Sequence, residues 1–149
     1  MKRAILIAFG ALAVAGQATA QEVVVFPGFV DLPIIEGGSA CPEGIAAEGV
    51  LATHIDCVGV PISALNDAGW AYVRLLEERG WRFSGGASVE LTVQRDRADG
   101  GCEGIDVAAV TDFAALERED ISPEEIAELP SFVFFERHDD VPCFRPSSQ

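Results

Sequence analysis

Apolar residues recur at the spacing of one helix face over residues 65–79. On a helical wheel, one continuous face holds Leu65, Ala68, Gly69, Tyr72, Val73, Leu75 and Leu76. Ser63 stands where a capping side chain is expected, and Gly80 stands where a left-handed residue would end the helix. The pattern therefore predicts an amphipathic helix over 65–79 that buries one face.

Alternating apolar and polar positions predict a hairpin in the second half of the chain. Residues 87–95 alternate in the way that is typical of a strand with one wet face. A polar turn over 96–103 leads to a second alternating segment near 105–110. We expect these two strands to pair antiparallel across the turn.

The last regular segments are a short helix and a strand that is apolar on both faces. Ser122 can cap the helix, Pro123 fits its first position, and Glu125 completes a capping box. The helix should end near Leu129. The sequence SFVFFER at 131–137 follows, and a strand without a polar face is expected at the centre of a sheet, covered on both sides.

The first half of the chain carries weaker signals. Residues 23–26 predict a strand, residues 51–60 predict another, and the Gly- and Pro-rich stretch 31–48 between them looks irregular. The element order predicts one α+β domain over 21–149, with residues 21–48 as an extended arm. Its core would be a small antiparallel sheet of about four strands with one long and one short helix.

The N-terminus has the layout of a secretory signal peptide. Lys2 and Arg3 precede an apolar run over 4–15, and small residues follow up to Ala20. The run is too short to span about 30 Å of hydrocarbon, so we expect cleavage after Ala20 and no membrane insertion afterwards. The mature protein is predicted to be periplasmic or secreted.

Acidic residues dominate the charge. The chain has 24 Asp and Glu against 10 Lys and Arg, a formal net charge of −14. Because Lys2 and Arg3 belong to the leader, residues 21–149 carry 24 acidic and 8 basic side chains, or −16. This charge argues against nucleic acid and anionic membranes as partners. It favours an envelope protein or a small cationic ligand.

Four cysteines lie after the leader, and an exported protein meets an oxidising compartment. Three pairings into two disulfides are possible. We favour Cys41 with Cys57, which closes a short loop, and Cys102 with Cys143, which ties a Gly-rich turn to the C-terminal tail. Without a Cys-x-x-Cys pair, structural disulfides are a better interpretation than redox chemistry.

Metal binding is the first alternative, although no cofactor is the primary expectation. Two segments place imidazole, carboxylate and thiol near one another, and their oxygen and nitrogen ligands are His54, Asp56, His138, Asp139 and Asp140. With the thiols of Cys57 and Cys143 they could hold zinc. The acidic turn over 96–106 could instead hold calcium. The spacings match neither a zinc finger nor an EF-hand.

Trp70 falls on the polar side of the predicted helix, near Arg74 and Glu77. There it could anchor a ligand or partner, with Arg74 holding a carboxylate or stacking on the ring. Alternatively, residues 22–35 cross this face and bury it. The second interpretation is favoured because an exposed Trp promotes association in an exported monomer.

Catalysis has little support in the sequence. No Gly-x-Ser-x-Gly motif is present, and the candidate bases are His54 and His138. We therefore predict a binding or protein-interaction module. A divalent-metal-binding protein and a small hydrolase with a histidine base remain the alternatives.

Overall fold

The computed structural model describes residues 24–25, 29–42, 55–87, 89–111, 116–118 and 120–145. The predicted leader and His54 lie outside these ranges. The regular elements, in chain order, are β1 (Val24–Val25), β2 (Leu32–Pro33), β3 (Ser39–Ala40), β4 (Ile55–Pro61), a 3-10 turn (Ile62–Ala64), α1 (Leu65–Glu77), β5 (Arg82–Ala87), β6 (Glu90–Asp96), β7 (Cys102–Thr111), α2 (Pro123–Ala127) and β8 (Pro130–Val141).

A six-stranded antiparallel sheet organises the fold, in the order β3-β4-β8-β7-β6-β5. Helix α1 connects β4 to the far edge of the sheet, and β5 to β8 return strand by strand until β8 pairs with β4. The α+β class is confirmed, but the expected four strands were too few. Two strands were overlooked because β5 contains Gly85 and Gly86 and β3 has two residues, so neither shows a clear alternating pattern.

The long helix begins at Leu65 as predicted, but it ends two residues earlier and without the predicted N-cap. Helix α1 ends at Glu77, and Gly80 then adopts a φ of +86°, so its assignment as the stop is confirmed. Ser63 was wrong as the cap. It lies inside the 3-10 turn, and Ala64 precedes the helix with no side-chain hydrogen bond.

One face of α1 packs on the centre of the sheet. The buried residues of the helix are Ala68, Gly69, Tyr72, Val73 and Leu76. Tyr72 meets Phe135 of β8 edge to face, with ring centroids 4.8 Å apart. Val58 of β4 and Val107 of β7 flank that strand and are also buried. The helix therefore packs mainly on the central strands β7 and β8 and also reaches the edge strand β5.

Strand β8 is central, as its apolar sequence predicts, because it lies between β4 and β7. Val133 and Phe135 join the core under α1, while Phe132 and Phe134 point to the opposite side and contact each other at 6.1 Å. We call that opposite side the far face. The sequence predicted that β8 would be covered on both faces. Helix α1 covers one face only, and the contacts described for α2 are with the 3-10 turn rather than with the far face.

Helix α2 confirms the predicted capping box. Ser122 Oγ accepts a hydrogen bond from the Glu125 N–H at 3.2 Å, and Glu125 Oε2 accepts one from the Ser122 N–H at 2.9 Å. Pro123 occupies the first turn. No helix in the described part of the chain is long and apolar enough to cross a bilayer.

Both favoured disulfides are confirmed. Cys41 and Cys57 join β3 to β4 with Cα atoms 5.7 Å apart. Cys102 and Cys143 join the start of β7 to the segment after β8 with Cα atoms 5.3 Å apart. Two disulfides fit an oxidising compartment.

The segment before β3 docks on the helix side of the molecule. The Tyr72 hydroxyl donates to the Pro33 carbonyl at 3.1 Å and accepts from the Ile35 N–H at 3.3 Å. Leu32 is fully buried. The expectation of irregular structure over 31–48 was therefore too simple, since β2 and β3 lie within it.

A cluster of charged and aromatic residues lies on the helix side of the sheet, around Glu103 of β7. Glu103 bonds to Arg95 at 2.5 Å and lies 3.7 Å from Arg137. The Arg137 guanidinium stacks over Phe29 at 3.7 Å, and that of Arg95 stacks over Trp81 at 4.5 Å. These contacts fasten the N-terminal segment to β6, β7 and β8.

Candidate functional site

The far face of the sheet contains a groove of about 490 Å³. Its floor is formed by side chains of β6, β7 and β8, its outer rim by residues 84–86 of β5, and its opposite wall by residues 141, 142 and 144. Side chains alternate between faces along a strand. Since Phe135 faces α1, the β8 residues Glu136 and His138 are brought together on the far face.

Asp106 and His138 form the polar centre of the floor. His138 Nε2 lies 2.8 Å from Asp106 Oδ2, and the Thr92 hydroxyl donates to Asp106 Oδ1 at 2.6 Å. The side chain of Asp106 is 22% exposed and that of His138 is 35% exposed. An ionised carboxylate only accepts hydrogen bonds, so His138 Nε2 carries a proton and donates it to Asp106.

Glu136 adds a second carboxylate beside this pair. It stands directly opposite Asp106 in the β7–β8 register, and its Oε1 lies 3.9 Å from His138 Nε2. Two carboxylates thus share one imidazole. Two carboxylates against one imidazole give this part of the far face a local negative potential.

The wall of the groove is held by a buried amide. Gln94 donates from Nε2 to the Phe144 carbonyl at 2.7 Å and accepts from the Phe144 N–H at 3.0 Å. The adjacent Cys102–Cys143 disulfide attaches the same segment to β7. Gly104 of β7 packs closely against Val141 of the wall, because a Cβ added at Gly104 would lie 3.1 Å from the Val141 side chain. The wall is therefore fixed at two neighbouring points.

Three carboxylates of the turn proposed for calcium have arginine partners instead. Arg82 binds Asp96 through two hydrogen bonds of 3.0 Å, which lower the pKa of Asp96. Arg97 binds Asp99 and, with the Gly101 N–H, holds the pKa of Asp99 at about 2. The third, Glu103, belongs to the cluster on the helix side.

Asp106 is the fourth acidic residue of that turn, and it lies on the opposite face of the sheet from Glu103. The structure does not gather the four carboxylates around one point. Among the described residues, three metal-ligating side chains come within 4.8 Å of one another at Asp96, Cys102 and Cys143, and both of those sulfurs are in a disulfide.

The residues proposed for a zinc site are placed apart. Asp139 bonds to Arg137 at 2.8 Å and Asp140 lies 3.9 Å from Arg97, so neither joins His138 in the groove. Asp56 stands opposite Phe135 in the β4–β8 register and so shares the helix side of the sheet. The zinc hypothesis stays a prediction, because His54 lies outside the described residues.

Trp70 is half-buried and packs against Phe83 of β5, with ring centroids 5.4 Å apart. Arg74 and Glu77 are exposed on the same helix. This group lies on the helix side, across the sheet from the groove. The described hydrogen bonds from the N-terminal segment to α1 are made by Tyr72, and nothing tests either interpretation of Trp70, so the binding hypothesis there stays a prediction.

Sequence reasoning identified His138 but missed the residues around it. Asp106 was considered only as a calcium ligand, and Thr92, Gln94 and Glu136 were not singled out. A partial signal was present, since Thr92, Gln94 and Asp106 are polar residues that alternate with apolar ones along β6 and β7. The register that brings them together was not readable from those positions.

Comparison with protein families, with curated proteins and with solved structures gives no match, so function must be argued from the groove itself.

Proposed function

We propose that the chain is an exported binding protein that holds a cationic ligand in the far-face groove. One observation carries the proposal: Asp106 and His138 line the floor of the groove, Glu136 stands beside them on the far face, and no described arginine or lysine pairs with either carboxylate. The neighbouring carboxylates Asp96 and Asp99 are neutralised by arginines. Asp106 and Glu136 therefore place two carboxylates without an arginine partner side by side on the far face.

The size of the groove supports a small ligand or a single side chain of a partner. Binding pockets for small molecules commonly measure about 300–1,000 Å³, and this groove lies within that range. The net charge of −16 on residues 21–149 adds a long-range attraction for cations, which raises association rates at low ionic strength. A neutral or anionic ligand gains nothing from that field.

Export is part of the same proposal. The predicted leader supplies the route, and the two disulfides suit a periplasmic or extracellular setting. We expect exported protein to begin at Gln21 and to weigh about 4 Da less than the all-thiol form. Intact mass before and after alkylation measures both, and uncleaved or freely alkylating protein would contradict the export.

Binding of a cation can be tested by calorimetric titration with cadaverine, choline and arginine amide, using glutarate as the anionic comparison. We expect at least one cation to bind and glutarate to fail. Asp106→Asn keeps the shape of the side chain but removes its charge, so it should weaken that binding. Glu124→Gln is the matched control, because it removes one exposed acid from α2, away from the groove.

Hydrolysis with His138 as base is a second candidate, since a histidine oriented by a carboxylate can accept a proton from water. Ser84 lines the same groove, but its hydroxyl donates to the Thr92 carbonyl at 3.1 Å rather than to His138. This geometry offers no serine nucleophile. Turnover of generic ester, peptide or glycoside substrates that His138→Gln abolishes would replace the binding proposal with this one.

A further inference from the structure

We infer that the groove recognises a primary ammonium group carried on an aliphatic stem. This inference rests on the proposed function, and it specifies the chemical class of the cation. Three classes compete: primary ammonium, quaternary ammonium and guanidinium. Each makes a different demand on the floor and wall of the groove.

The floor offers the acceptors that an ammonium requires. An ammonium has three N–H donors and a carboxylate offers about four lone-pair positions. Thr92 and His138 occupy one position on each Asp106 oxygen, which leaves the others available. Glu136 stands next to them across the strand pair and adds a second carboxylate. Acceptors and donors therefore match.

A guanidinium is served less well. Its planar fork binds best when both oxygens of one carboxylate face it, giving two parallel hydrogen bonds. The oxygens of Asp106 already accept from Thr92 on one side and bond to His138 on the other. The fork would have to displace one of them. A compact ammonium can instead approach a single oxygen.

A quaternary ammonium lacks N–H donors and is usually held by several aromatic faces. Among the described residues that line the groove, Phe144 is the one aromatic side chain, and it is 50% exposed. Polar acceptors on the floor would stay unsatisfied beneath the methyl groups. The groove therefore has the opposite chemistry to an aromatic cage.

The apolar wall of the groove is the reason to expect an aliphatic stem on the ligand. Val141, Pro142 and Phe144 line one side of the groove with apolar surface, above the polar floor. Gln94 and the disulfide of Cys143 hold this wall in place. A hydrocarbon chain of a few methylenes can lie along it while its ammonium reaches Asp106. Cadaverine and a lysine side chain share this chemistry.

Calorimetry at low salt compares cadaverine with its fully methylated bis-quaternary analogue. Loss of the N–H donors should weaken binding by about tenfold or more, the usual size for a hydrogen bond to a charged group. Glu136→Gln and Asp106→Asn should each weaken cadaverine binding, while Glu124→Gln should not. Glu136 is more exposed than Asp106, so it keeps the test decisive if Asp106→Asn disturbs folding.

Equal or tighter binding of the methylated analogue, or of arginine amide, overturns the inference but leaves the proposed cation-binding function standing. Failure of every cation overturns the function as well. A further arm compares free cadaverine with a neutral, lysine-containing peptide. Tighter binding of the diamine assigns a small-molecule source, tighter binding of the peptide assigns a protein source, and both support the ammonium class.

Discussion

Gln94 hydrogen-bonds to both backbone polar groups of Phe144, at 2.7 Å to the carbonyl and 3.0 Å to the N–H. The side-chain amide thus does for the C-terminal segment what a neighbouring strand does for a sheet edge. Gln94 is 2% exposed, so these two bonds satisfy an amide that would otherwise be buried without partners. The wall of the groove depends on this contact.

Replacing Gln94 by Leu should loosen that wall. Phe144 is half-exposed, so its freed backbone groups can bond to water, and the cost is the net value of two hydrogen bonds, about 1–3 kcal/mol of unfolding free energy. Urea unfolding with the disulfides intact measures it. Ligand affinity in the groove should fall in the same variant.

Gln94→Glu separates hydrogen bonding from packing. The carboxylate can still accept from the Phe144 N–H, but it then faces the Phe144 carbonyl and carries a buried charge. It should destabilise the protein more than Gln94→Leu at neutral pH. An unfolding free energy equal to wild type in both variants would show that the tail does not depend on Gln94.

The two disulfides should contribute unequally. Loop-entropy estimates give about 4 kcal/mol for Cys102–Cys143 and about 3 kcal/mol for Cys41–Cys57, because the sequence separations are 41 and 16. Double Cys→Ala variants of each pair, compared by denaturant unfolding, test the order. We also expect only loss of Cys102–Cys143 to weaken binding in the groove, and the reverse result would contradict the role of the wall.

Tyr72 should make the protein less stable at alkaline pH. Burial raises the pKa of its phenol above the ordinary value, so the folded state retains the proton longer than the unfolded state. This contribution is complete below the unfolded pKa and is lost as the pH rises through the folded one. Unfolding free energy measured across the alkaline range should fall accordingly.

The chain has one tyrosine, so phenolate absorbance reports Tyr72 directly. Native protein should titrate above denatured protein. Tyr72→Phe should flatten the alkaline loss of stability while losing the bonds to Pro33 and Ile35. An identical midpoint in native and denatured protein would show that the hydroxyl is not protected.

Glu103 should matter more to stability than the other carboxylates of its turn. Its side chain is 11% exposed and lies between Arg95 and Arg137, which are about one-third exposed. Glu103→Gln leaves two arginines without their shared carboxylate, and partial screening reduces the cost to about 1–3 kcal/mol. Asp99→Asn is the control, since its exposed pair with Arg97 should contribute far less. Equal effects would contradict the distinction.

Local physics explains what the sequence determined. The helical stripe of α1, the left-handed Gly80, the Ser122–Glu125 capping box and the two-sided apolar strand β8 each depend on residues close together in the chain. The cysteine pairing also followed from simple considerations of compartment and loop closure. These features needed no knowledge of the partner strands.

Tertiary structure decided the site. His138 and Asp106 are 32 residues apart, and Gln94 and Phe144 are 50 apart. Whether such residues meet depends on strand order and register, and a shift of one residue would move each side chain to the other face. Composition indicated an excess of negative charge, but it did not show which carboxylates have arginine partners. The pairing of β6, β7 and β8 placed Glu103 between Arg95 and Arg137 and left Asp106 and Glu136 beside one imidazole.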